Sequence, residues 1–244
     1  MTSKQASVAV VAAFVLSVVV IVGALSAVAG APAAAVAGAA ASAGLALAAV
    51  LYLRSPGSAL RSVGAKPLAA GDHPRLENLI DGLCTTHAFG RPSLHVVESP
   101  ALNAAALGLN HASAHLVLTT GALSDYGRLE LEAVVARQLC AIRRGTAFAT
   151  VLAGVSRLSI VEPLTARLAG RAGDFNAGCE IDVEAARLTS FPPAMSAALR
   201  QAADSATLET PRSAGHIWMV NPHQQASAEG APSTLQRIDV LSEI

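Results

Sequence analysis

The sequence predicts an α+β chain in two unequal parts: an N-terminal two-helix transmembrane hairpin, then a mainly helical domain with a small sheet. Three observations predict it. Residues 5–53 contain no Lys, Arg, Asp, Glu or His. Beyond them, Leu76, Leu79, Ile80, Leu83 and Cys84 recur at helical spacing, as do Leu131, Val134, Val135, Leu139 and Ile142. Between these two stripes lie the β-branched runs "SLHVVE" and "HLVLTT", each bounded by turn residues.

The uncharged stretch is long enough for two crossings, since one helix needs about 20 mostly apolar residues to pass the hydrocarbon core. The sequence divides into spans at about 6–29 and 33–53, with Pro32 in "AGAPAA" at the turn. A cleaved secretory signal and a single span are the alternatives, but a signal's apolar region runs only about 7–15 residues. In the second span Ala34, Gly38, Ser42 and Ala46 form a small-residue stripe on which another helix could pack closely. Lys4 precedes the spans, and Arg54, Arg61 and Lys66 follow them, so the positive-inside rule puts both ends of the hairpin, and the C-terminal domain, in the cytoplasm of a multi-pass cell-membrane protein.

Residues 1–53 are thus the hairpin. Residues 54–72, rich in Gly, Ser, Pro and basic side chains, read as a juxtamembrane linker, and 73–244 as the domain. There the first helix ends at "GRP", 90–92, and the strand "SLHVVE" follows. After turn-rich residues comes the strand "HLVLTT", and then a helix closed by Arg143, Arg144 and Gly145, which suit a helix C-terminus. Residues 147–170 are apolar, but Arg157 and Glu162 argue against a third crossing. Further helices are expected at Cys179–Thr189, from Pro193 onward, and near "LQRIDVLSEI". The formal charge of zero gives no reason to expect a nucleic-acid partner. Three cysteines without C-x-x-C spacing fit reduced thiols rather than a disulfide framework.

Several phrases in order carry a resemblance: "ALNAAALG", "HLVLTTGAL", "LELEAVVARQLCAIRRGT", "CEIDVEAARLTSFPPAMSAAL" and "HIWMVNP" followed by "STLQRI". Across roughly residues 73–244 they resemble the HtpX-type membrane zinc metallopeptidases, relatives of the CAAX prenyl proteases. The resemblance implies a metallopeptidase-like domain in which H-E-x-x-H supplies two zinc-binding imidazoles on one helix face, the Glu between them acts as base, and a Glu from a later helix completes the site.

Carried over residue by residue, the two histidine positions are Arg137 and Ala141, the base position is Gln138, and the third ligand position keeps Glu180, with Glu184 where the family has Asp. Arginine offers only donors and stays charged, alanine offers nothing, and a glutamine amide is not a useful base near neutral pH. No catalytic residue and no bound metal are therefore expected, although the ancestral family uses zinc. An ion pair between Arg137 and Glu180 in the vacated space is the expected replacement. His111 and His115 lie in turn and strand sequence and are expected to be solvated; Cys140 and Cys179 are expected as buried thiols rather than as a rebuilt metal site with Glu180, and His216 and Trp218 as packing or surface residues.

The leading reading is a membrane-anchored pseudoprotease that binds partners, such as membrane-protein segments or an active protease, in membrane-protein quality control or regulation. "NAAALG" or "HLVLTT" would offer a strand edge. An active membrane zinc metalloendopeptidase with non-standard ligands, or a structural membrane protein, are the alternatives.

Overall fold

The computed structural model describes residues 32–155, 175–223 and 233–244, together with Val19 and Gly23, both helical. The expected first span, 6–29, and part of the 147–170 segment fall outside these residues apart from those two positions and 147–155. The first long helix, α1 (Ala33–Ser62), contains a stretch, Ala37–Ser62, that is long and apolar enough to cross a membrane; among the described residues it is the one such helix. Its large apolar side chains Leu45, Val50 and Leu53 are exposed, as a lipid-facing surface requires. The buried stripe of α1 is Ala40, Gly44 and Ala48, whereas Gly38, Ser42 and Ala46 are exposed. Small residues line both faces of this helix, so spacing alone could not choose between them.

The expected linker is instead mostly ordered structure. α1 continues through Pro56 because Ser55 Oγ donates to the Tyr52 carbonyl at 2.7 Å, supplying the hydrogen bond that the missing proline N–H cannot make. The end of α1 then docks on α5 (Ala147–Val155), where Ser58 Oγ donates to the Gly154 carbonyl at 2.8 Å. A Cβ at Gly154 would lie 2.6 Å from the Ser55 carbonyl oxygen, so only glycine permits this approach. After α1 the chain adds a two-residue strand, β1 (Lys66–Pro67), to the sheet.

The remaining elements are α2 (Pro74–His87), β2 (Ser93–Val97), β3 (Ala104–Leu107), β4 (His115–Thr119), α3 (Thr120–Asp125), α4 (Arg128–Arg144), α6 (Phe175–Thr189), α7 (Pro192–Asp204) and α8 (Thr234–Ser242). The domain is mostly helical with one small mixed sheet, ordered β1-β2-β4-β3, in which β2 and β4 are parallel and the outer pairs antiparallel. Both faces are covered. Leu116, Leu118, Ala104 and Ala106 pack with α4, α6, α7 and α8; Val97, Ala105, Leu107 and Val117 pack with Ala59, Leu60 and Val63 of α1, Ala153 of α5 and Trp218. Burial on both faces accounts for the unbroken apolar run Leu116-Val117-Leu118.

β3 falls within "NAAALG", although three alanines carry little strand propensity by themselves. Pairing with β4 and the close approach of helices to small side chains decide it. Gly154→Ala forces Cβ against the Ser55 backbone and is expected to lower stability by about 1–3 kcal/mol, read as a fall in the unfolding midpoint of the detergent-solubilised chain.

Candidate functional site

The site is assembled by α4, α6, α8 and β3. α4 carries Arg137 and Gln138 on its buried side. α6 turns Cys179, Asp182, Ala185 and Ala186 inward, a set at helical spacing, which puts Asp182 and not Glu180 against α4. Glu180, two positions from Asp182 and so on the opposite side of the helix, is exposed.

The expected Arg137–Glu180 pair is therefore replaced by another. Arg137 Nε donates to Asp182 Oδ1 at 2.7 Å. A second guanidinium, Arg237 of α8, donates through Nε to Oδ2 at 2.6 Å and through Nη2 to Oδ1 at 2.9 Å. Asp182 has no exposed surface, and Arg137 and Arg237 are 9 % and 6 % exposed. Glu180 instead accepts from Arg144 Nη1 at 2.6 Å, while Glu184 pairs with Arg143 and Arg144.

Burial by itself would raise the Asp182 carboxyl, but the charges of Arg237 and Arg137 and the hydrogen bonds from both outweigh it and hold the group below the ordinary carboxylate range. For Arg137, burial destabilises the charged form; Asp182 opposes that effect and Arg237 adds to it.

The cluster also fastens the chain after α7. Arg237 Nη1 donates to the Met219 carbonyl at 2.7 Å, and the Met219 N–H donates to the Ala104 carbonyl of β3 at 2.8 Å. Asn103 closes the same contact, with Nδ2 donating to the Val220 carbonyl at 2.6 Å and Oδ1 accepting from Val220 N–H. Trp218 bridges to Ala105 and is buried, its indole N–H donating to Thr210 Oγ1. Gln138, at the base position, is 1 % exposed and donates through Nε2 to the Ala104 carbonyl at 3.3 Å. The Ala104 carbonyl thus takes two donors.

These contacts correct the expected strand edge. "HLVLTT" forms β4, which lies between β2 and β3 and has no free edge. The outer edge of β3 is met at Ala104 and Ala105 by the chain's own residues 218–219.

At the positions that the resemblance would give to a metal, the donor set does not fit zinc: a guanidinium already bound to a carboxylate, an alanine, and a glutamate turned outward to Arg144. Among the described residues, no group of three or more His, Cys, Asp or Glu side chains is placed to hold a metal ion. Cys84, Cys140 and Cys179 are free and buried. Burial, with Glu184 nearby, pushes the Cys140 thiol up to about 12, so it stays protonated and is a poor ligand near neutral pH.

The histidines are elsewhere. His111 is exposed in a short 3₁₀ turn. His115 is half-buried rather than solvated, its ring 5.1 Å from that of His95 across the sheet, and burial lowers both imidazoles. His216 meets the Ala149 carbonyl at 3.0 Å.

Sequence reasoning missed Asp182 and Arg237. The inward set 179, 182, 185 and 186 was a usable signal for the first. Arg237 had none beyond its phrase, because its partner lies 55 residues away.

The chain is similar to curated proteins named Protease HtpX homolog. It is 29 % identical to that of Bacteroides fragilis over 94 residues, 38 % of this chain and 29 % of the relative. It is 32 % identical to that of Thermoanaerobacter pseudethanolicus over 113 residues, 46 % and 38 % of the two. With that of Salinibacter ruber it shares 25 % identity over 201 residues, 71 % and 73 %. The first two matches span about a third of the relatives' length. No protein-family model matches the chain.

Asp182→Asn leaves two buried guanidiniums without their carboxylate and is expected to cost about 3–5 kcal/mol, whereas Glu180→Gln should change stability by less than about 1 kcal/mol; equilibrium unfolding compares them. Because the folded-state pKa of Asp182 is depressed, its contribution is present above the unfolded value of about 3.9 and is lost as pH falls through the lower folded value. The acid limb of the wild-type stability profile below about pH 4 should accordingly flatten in Asp182→Asn.

Proposed function

The chain is a relative of the HtpX-type proteases, and from that premise we propose that it is a membrane-anchored, non-catalytic member that acts by binding partners in membrane-protein quality control or its regulation. One observation carries this reading: the helix positions that would hold the metal and activate water are built into structural contacts, Arg137 on Asp182 and Gln138 on the Ala104 carbonyl.

Hydrolysis by a zinc peptidase needs three protein ligands and a carboxylate base beside an open metal position. Arg137 supplies a fixed positive charge that repels a cation. Gln138 supplies an amide N–H where a base must accept a proton. An extended substrate strand would also have to displace residues 218–219 from β3. Each departure counts against hydrolysis, and together they support a scaffold used for binding. α1, with its exposed Leu45, Val50 and Leu53, supports residence in the bilayer, where membrane-protein segments are the available partners.

Purified protein dialysed without chelator is expected to hold far less than one zinc per chain and to show no chelator-sensitive peptide cleavage. Retention of about one zinc per chain with such cleavage would overturn the reading. Crosslinking and pull-down from membranes should recover the same partner segments reproducibly; recovery of none would remove the binding role.

A further inference from the structure

The buried ion cluster is not neutral. Arg137 and Arg237 share the single carboxylate of Asp182, and the nearby acids Glu180 and Glu184 are already engaged by Arg143 and Arg144. The two guanidiniums are also used differently. Arg237 employs all three of its nitrogens, on Asp182 and on the Met219 carbonyl. Arg137 gives only Nε. Its two terminal amino groups, with four N–H bonds in one plane, meet no acceptor among the described residues, and the side chain keeps 11 % exposure.

Neither amino nitrogen is enclosed without a partner, so both keep contact with solvent, and an anion that replaces water there supplies both the charge and the acceptors. Two amino groups on one planar carbon match the two oxygens of a carboxylate, or two of a phosphate, in a bidentate contact. A cation has no such complement here.

We propose that Arg137 is an oxyanion site, at the position where related proteases hold their metal, and that it takes a carboxylate or phosphate through its two terminal amino groups. The proposal deepens the binding role above and rests on that reading only in requiring that no metal cation share the position. The sign of the site is inverted: a partner would be recognised by an acidic group, either a chain-terminal or side-chain carboxylate, or a free inorganic oxyanion.

The test uses the full chain in detergent, with thermal unfolding followed by the fluorescence of Trp218, the single tryptophan. Sodium phosphate, sodium acetate, and a short apolar peptide as its free acid or its C-terminal amide are titrated at constant ionic strength against sodium chloride. The expected result is a saturable rise in midpoint of about 2–4 °C with at least one oxyanion, absent with the peptide amide.

A response to the peptide acid at concentrations where acetate has no effect assigns the site to a partner carboxylate; a response to phosphate alone assigns it to an inorganic anion. Arg137→Gln should abolish the rise. Arg137→Lys, which keeps the charge but not the planar fork, should weaken the apparent affinity at least about tenfold and serves if the Gln variant does not fold. No rise beyond chloride in the wild type, or an undiminished rise in the Lys variant, overturns the proposal. Zinc content is read independently, so failure here leaves the non-catalytic reading standing.

Discussion

Asp182 accepts hydrogen bonds from two guanidiniums while having no contact with solvent, and the arrangement of three helices follows from that constraint. A buried carboxylate is tolerable only when its charge and lone pairs are matched. Arg137 reaches it from α4 and Arg237 from α8, so both helices must hold their register against α6. Arg237 then passes the constraint on, through the Met219 carbonyl, to the edge of β3. One ion cluster thereby ties the helical layer, the C-terminal segment and the sheet together.

Such a cluster has a different physical character from a zinc site of similar location. A metal draws its ligands together by coordination and leaves an open position for chemistry. A guanidinium–carboxylate cluster draws the same helices together through directional hydrogen bonds, and it leaves amino N–H groups instead of a Lewis acid. On the reading proposed above, this cluster would fill the mechanical role that metal ligands have in a zinc site. Gln138 is held in a similar way, its side-chain amide donating to the backbone of β3.

Much of this was legible in the sequence. The helix bearing Arg137, the strands around residues 93–97 and 115–119, and the chemical unfitness of Arg137, Gln138 and Ala141 for zinc follow from local pattern and side-chain chemistry. What was not legible depends on rotation and on distance. Choosing between Glu180 and Asp182 requires knowing which face of α6 turns inward, and a carried-over motif favoured the wrong one. Arg237 acts across 55 residues of sequence, and the edge that "NAAALG" offers is met by a distant segment of the same chain, residues 218–219. The continuation of α1 past Pro56 likewise needed a local rescue, by Ser55, and a distant one, by Gly154.

The most direct test of the account is a double-mutant cycle measured by equilibrium unfolding, pairing Arg137→Gln with Asp182→Asn and, separately, with Glu180→Gln. The account predicts a coupling of about 1–3 kcal/mol for the first pair and less than about 0.5 kcal/mol for the second. Coupling concentrated on Glu180, or none with Asp182, would contradict it.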